Sequence, residues 1–127
     1  MVDKTNDVKT NIVRTKNKLP VNRVAPEGEV DLYSSPKLRK KLIELTEAQT
    51  RAILVDLSNV KYMDSSGVAT LVEALQKVGK YGGKLKIASL RAAVKDVFEL
   101  SRLDKVFDIY DTTEDALEAF DEYGTSE

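Results

Sequence analysis

The 127-residue chain contains no histidine and no cysteine. Without histidine it lacks the commonest general base and metal ligand, and with it any Ser-His-Asp or Cys-His arrangement for nucleophilic catalysis. Without cysteine, disulfides, thiol chemistry and thiolate metal sites are excluded. No apolar run approaches the ~20 residues a helix needs to span a bilayer, so no membrane insertion is expected. The opening residues, MVDKTNDVKTN, have no apolar core behind their charges and do not read as a signal peptide; a cytoplasmic protein is the expectation. Walker A and G-x-G-x-x-G patterns are also missing, so no nucleotide cofactor is expected by those devices.

What is present is ordinary in bulk. Hydrophobic residues make up 42% and charged residues 32%, as in a soluble globular protein, and the length suits one domain. Net charge is −1, but its distribution is uneven. Residues 1–23 carry six Lys/Arg against two Asp/Glu; residues 111–127 carry seven Asp/Glu and no Lys/Arg. Such blocks read as two solvated ends. The basic stretch has no interleaved aromatic, so direct nucleic-acid binding is not expected.

Periodicity organises the chain from about residue 30. Ser35-Pro36 reads as an N-cap with proline at the first helical position, and Leu38, Leu42 and Leu45 recur at helical spacing. Ala52–Leu57, AILVDL, is a short apolar run of the kind buried on both faces of a sheet. A connection, SNVKYM, leads to the turn Asp64-Ser65-Ser66-Gly67. Val68, Leu71, Val72, Leu75 and Val78 then form one apolar helical stripe, which Gly82-Gly83 ends. Lys84–Leu90 reads as a strand, followed by a helix with Val94, Val97 and Phe98 inward. Val106–Tyr110 reads as another strand, and Asp111-Thr-Thr-Glu114 as a capping box for a last helix bearing Leu117 and Phe120. Alternating strands and helices predict an α/β domain with a largely parallel or mixed sheet. Residues 11–121 are expected to form the domain, with residues 1–10 disordered and 122–127 frayed. NIVRTKNK and LPVNRVAPEGEVD could supply two further strands, although Pro20 and Pro26 weaken a central position for either.

The DSSG turn is the candidate site. A loop after a strand's C-terminal end, opening a helix, is where α/β sheets tend to carry function. The helix N-terminus offers unpaired amides to an anion, and Gly67 permits close approach. Three readings compete: Asp64 or Ser65 as a plain cap, a nucleophilic serine, or a serine phosphorylated by another protein. No G-x-S-x-G elbow or S-x-x-K pair includes Ser65 or Ser66, which disfavours the nucleophile. Phosphorylation would add about −1.5 to −2 charges, tolerable at a helix N-terminus yet disruptive on a docking surface.

YMDSSGVATLVEAL, preceded by VDLSNV and followed by GGKLKIASL, resembles the STAS family and, within it, the anti-sigma factor antagonists of bacteria. EGEVDLYSSPKLRKKL resembles the family's passage from second strand to first helix, and the likeness covers about residues 28–120. The resemblance implies a single non-enzymatic STAS-like domain: a mixed four- to five-stranded sheet with about four helices mainly on one side. It implies no cofactor and no metal. It implies that the unphosphorylated protein binds an anti-sigma factor that is also a GHKL-type serine kinase, releasing a sigma factor, and that a PP2C-type phosphatase reverses the modification. The phosphoacceptor carried over is Ser65, with Asp64 and Ser66 beside it and Asp31 near the turn as a partner contact. Gly67 belongs to the same docking turn. Thr70 and Glu73, on the helix side away from the apolar stripe with Lys77, are further candidate contacts. The runner-up is a STAS module of another assembly, such as a lipid-transport ABC subunit or a stress-sensing scaffold.

Overall fold

The computed structural model describes residues 7–124, with side chains to Glu122. The expectations of disorder at residues 1–6 and fraying at 125–127 lie outside the described residues. The strand β1 (Val8–Arg14) begins inside the stretch expected to be disordered. It folds back antiparallel on β2 (Pro20–Pro26), with Val13 opposite Val21 and Val8 opposite Pro26. β2 is an interior strand despite its two prolines, because they stand at its ends, Pro20 opposite Arg14 and Pro26 opposite Val8. Ladder bonds between those ends are therefore intact.

The chain then forms a short strand β3 (Gly28–Val30) and the helix α1 (Ser35–Glu47). The helix starts one residue earlier than expected, with Ser34 as N-cap; the Ser34 side chain makes no capping bond to the helix. β4 (Ala52–Asp56) pairs in parallel with β2. The SNVKYM connection contains a strand, β5 (Val60–Met63), which pairs in parallel with β3 as a separate two-stranded sheet. Its burial runs buried, exposed, exposed, buried, and its register against β3 slips between Gly28 and Glu29. Strict alternation, the usual sequence signal of a strand, is therefore absent. The helix α2 (Ser65–Lys80) follows, then β6 (Lys84–Ala88), α3 (Ala92–Leu100), β7 (Asp108–Tyr110) and α4 (Thr113–Gly124). The last helix is capped by the Thr112 hydroxyl, which accepts from the Asp115 amide at 3.0 Å, so the box lies one residue later than the expected Asp111–Glu114. α4 also runs past Glu122, where fraying was expected.

The main sheet has the order β1-β2-β4-β6-β7, mixed, with β1 the antiparallel member. Alternation along β4 explains its layers. Ile53 and Val55 face α1, α2 and α3, joining Leu38, Leu42, Leu71, Val78, Val94 and Phe98. Leu54 faces the other way, towards Val21, Ala88, Ala116 and Phe120 under α4. Three helices thus cover one face and one covers part of the other, as the apolar run AILVDL requires of a strand buried on both sides.

The charged termini meet through specific bonds. Asp121 of α4 accepts from the Thr15 hydroxyl and, at 3.1 Å, from the Asn17 amide in the β1–β2 turn. Lys86 is fully buried beneath α4, its Nζ 3.2 Å from Asp108 Oδ2 and 3.2 Å from the Tyr110 hydroxyl. The ammonium also lies 5.2 Å and 5.3 Å from the centres of the Tyr110 and Phe120 rings, whose faces attract cations. The long stem fills core volume while the head is satisfied. Lys86→Ala is expected to cost about 2–4 kcal/mol by leaving a cavity. Lys86→Met, which keeps the stem, should cost about 1 kcal/mol or less, since replacing a buried ion by an apolar group is often nearly neutral. Urea unfolding of the two variants measures the difference; equal losses would show that the charge, not the packing, carries the stabilisation.

Candidate functional site

The small sheet sets the geometry of the DSSG turn. Val30 and Met63 stand opposite each other at the ends of β3 and β5, both with buried side chains. The Asp64 amide then donates to the Val30 carbonyl at 3.1 Å. Asp31 and Asp64, the residues following the two strands, are thereby brought to one end of the molecule, each leading into a helix.

Asp64 is the N-cap of α2, in extended conformation, and its Oδ1 accepts from the amides of Ser66 at 2.9 Å and Gly67 at 3.4 Å. This resolves the capping question: the carboxylate caps, and neither serine does. It also fills the anion-attracting amides of the helix start with the protein's own carboxylate. Ser65 occupies the first helical position with its side chain exposed, and its hydroxyl makes no hydrogen bond among the described residues. Among the described residues no general base bonds to it, so none of them activates it as a nucleophile. Ser66 is half-buried and its backbone is committed at both ends, the amide to Asp64 and the carbonyl to the Thr70 hydroxyl at 3.0 Å.

Two of the expected partner contacts are buried within the domain. Thr70 is buried, and its hydroxyl is spent on the preceding turn of the helix; it is not on a solvated face. Gly67 is buried too, and the group that approaches it closely is the protein itself. A Cβ there would lie 2.6 Å from Met63 Cγ and 2.8 Å from Val30 Cγ1. The glycine lets the start of α2 settle onto β3 and β5; it does not make room for a ligand. Glu73 is partly exposed but already engaged, accepting from Arg39 Nε and Nη2 at 2.7 Å each in a bidentate pair that ties α2 to α1. That hydrogen-bonded pairing holds the Glu73 carboxyl below its usual value and raises Arg39.

Asp31 is similarly occupied. Its Oδ1 accepts from the amides of Tyr33 and Ser34, both at 3.0 Å, and from the Ser34 hydroxyl at 3.2 Å. The Ser34 hydroxyl in turn lies 2.7 Å from the Glu29 carbonyl, and the Asp31 amide donates to it at 2.9 Å. The bond from the Ser34 amide, foremost, keeps the Asp31 carboxyl below the ordinary aspartate value. Sequence reasoning missed the apolar side chains held out beside these turns. Leu32 is 66% exposed, Tyr33 88%, and Tyr62, opposite Glu29 in the small sheet, 47%. The available signal was a Leu-Tyr pair in a short turn between two helix-capping groups, where burial has no periodicity to follow. Ser65 follows Asp64, whose amide joins α2 to the end of β3, and it offers an exposed, unactivated hydroxyl.

The STAS domain profile matches residues 14–116 of the chain. The anti-sigma-B factor antagonist of Bacillus subtilis (strain 168) is 34% identical over 103 residues, 81% of this chain and 91% of that protein. A crystal structure of an anti-sigma factor antagonist from Mycobacterium paratuberculosis superposes with a TM-score of 0.76 at 28% identity, covering 89% of this chain and 93% of that one. The Bacillus cell fate determinant SpoIIAA, in its phosphorylated form, shares the fold at 18% identity, with a TM-score of 0.69 over 90% of this chain and 99% of that one.

Two measurements follow from this geometry. Gly67→Ala should destabilise the domain by about 1–3 kcal/mol, the usual cost of overpacking, read as a lower urea midpoint at unchanged slope. An unchanged midpoint would mean that α2 can slide away from Val30 and Met63 freely. The Asp31 carboxyl should titrate below 3.8. Because its folded value is depressed, the bonds it accepts support the turn above the unfolded carboxylate value and are lost as pH falls through the folded one. Amide chemical shifts of Tyr33 and Ser34 report this, and a midpoint at or above the ordinary value would contradict it.

Proposed function

We propose that this chain, which belongs to the STAS domain family, works as an anti-sigma factor antagonist switched by phosphorylation of Ser65. The unmodified protein binds an anti-sigma factor that is also a GHKL-type serine kinase, and a sigma factor is released. Phosphorylation of Ser65 by that kinase ends the interaction, and a PP2C-type phosphatase restores it. The observation that carries this reading is the state of Ser65: exposed and unbonded, at a helix start where Asp64 already holds the Ser66 and Gly67 amides.

That last point sets the physics of the switch. A phosphate on Ser65 adds about −1.5 to −2 charges at neutral pH. The Ser66 and Gly67 amides that would welcome it are bonded to Asp64, so the new dianion gains little from the helix and stands beside an existing carboxylate. The fold tolerates it because the side chain points to solvent. An interface does not, since like charge or desolvated phosphate brought against a partner costs several kcal/mol, and each ~1.4 kcal/mol is tenfold in affinity.

Incubation with ATP and the co-encoded serine kinase, followed by intact mass and peptide mapping, should place a single phosphate on Ser65 and leave Ser66 unmodified. Ser65→Asp should weaken kinase binding by about tenfold or more while shifting the melting temperature by only a degree or two. Undiminished binding by Ser65→Asp would rule out the switch, and a large loss of stability would make the serine structural. Capture of a transporter ATPase subunit in place of the kinase would favour the STAS module of another assembly.

A further inference from the structure

We infer that Asp64 is a positioning residue for the modification of Ser65: by taking the helix cap itself, it keeps the hydroxyl of a second capping residue free. The inference rests on the phosphorylation reading above and concerns how that site stays available. Asp64 and Ser65 are adjacent, and aspartate and serine cap helices about equally well, so the sequence offers two starts for α2 one residue apart. The structure uses only the first. Asp64 Oδ1 accepts from the Ser66 amide at 2.9 Å and the Gly67 amide at 3.4 Å, and the Val68 amide donates to the Asp64 carbonyl at 3.2 Å. Ser65 is left in the first helical position, exposed, with its hydroxyl unbonded among the described residues.

Had the cap fallen on Ser65, its hydroxyl oxygen would accept from the Gly67 or Val68 amide, two or three residues further on. An oxygen spent in that way lies against the helix start and is withheld from a phosphoryl donor. Two features give the cap to Asp64 instead. Its amide is held on the Val30 carbonyl at 3.1 Å, and its backbone is extended, which fixes residue 64 as the last position before the helix. Its carboxylate also gains from the positive end of the helix, where a neutral hydroxyl gains less. Removing that carboxylate strips the Ser66 and Gly67 amides of their acceptor, and Ser65 is the adjacent residue able to cap in its place. Asp64 thus acts through the serine and not on the kinase.

Melting temperatures of Ser65→Ala, Asp64→Ala and the double variant form one cycle. Ser65→Ala alone should move the melting temperature by about 2 °C or less, because the fold does not use that hydroxyl. In the Asp64→Ala background the same change should remove a further ~3–6 °C, the loss of a cap. Initial rates with the co-encoded serine kinase should show kcat/KM for Ser65 lowered about tenfold or more in Asp64→Ala, since few molecules keep the hydroxyl free. Asp64→Asn retains a capping oxygen without the charge and should stay within about twofold of wild type. The Ser65 Cα and Cβ chemical shifts should move from helical towards extended in Asp64→Ala and stay in place in Asp64→Asn. A Ser65→Ala effect of equal size in both backgrounds would show that the serine never takes the cap, and the inference fails. Equal losses of phosphorylation in Asp64→Asn and Asp64→Ala overturn it too, because the carboxylate would then act on the kinase by its charge. If Asp64→Ala does not fold, Asp64→Gly takes its place in the cycle, since glycine at a cap costs little stability. A wild type that the kinase leaves unphosphorylated removes the proposed function itself, and this inference with it, whatever the melting temperatures show.

Discussion

The pairing of two short strands, Gly28–Val30 with Val60–Met63, is the constraint on which the rest of the site depends. It is a small ladder, closed at its end by the bond from the Asp64 amide to the Val30 carbonyl. Through it the start of α2 is pressed onto Val30 and Met63 so closely that only glycine fits at position 67. Through it, too, two aspartates 33 positions apart in sequence come to the same end of the molecule. Each then turns its carboxylate onto backbone amides that follow it, Asp64 onto the helix and Asp31 onto the loop. Helix starts leave amides without intrahelical partners, and a nearby carboxylate is a local way to satisfy them.

The consequence is a division of labour between neighbouring residues. The side chains that hold the turn are spent internally: Asp31, Asp64, Thr70 and the Arg39–Glu73 pair. Ser65, Leu32, Tyr33 and Tyr62, by contrast, are left exposed. Three acidic groups, Asp31, Asp64 and Glu73, act as internal braces.

The main architecture was legible because burial is periodic in it. AILVDL announced a strand buried on both faces, and Val68, Leu71 and Val78 announced the inward stripe of α2, since each pattern repeats with the period of its element. β5 was not legible, because a register slip opposite Gly28 breaks its alternation and leaves Lys61 and Tyr62 both exposed. The caps of α1 and α4 were misplaced by one residue for a related reason. Runs such as SSP and DTT offer several capping groups in adjacent positions, and tertiary packing chooses among them. At the DSSG turn the residue types marked a helix start, but composition could not tell which of four adjacent groups faced solvent. Thr70 shows the limit most plainly: helical phase put it opposite the apolar stripe, whereas it is buried with its hydroxyl on the Ser66 carbonyl.

The same geometry explains why one serine of the pair suits modification and its neighbour does not. Ser66 has its amide bonded to Asp64 and its carbonyl to Thr70, and its side chain is half-buried, so adding a phosphate there would strain the cap that fixes α2. Ser65 precedes the capped amides and projects outward; nothing in the fold depends on its hydroxyl. A regulatory charge is best placed where it costs the folded state little and the complex much. Position 65 meets both conditions because Asp64 has already claimed the helix dipole. The carboxylate keeps the helix intact without help from a phosphate, and it would leave a phosphate on Ser65 no inward refuge under the proposed partner. The cap and the proposed switch are adjacent for that reason: the one would make the other nearly independent of folding.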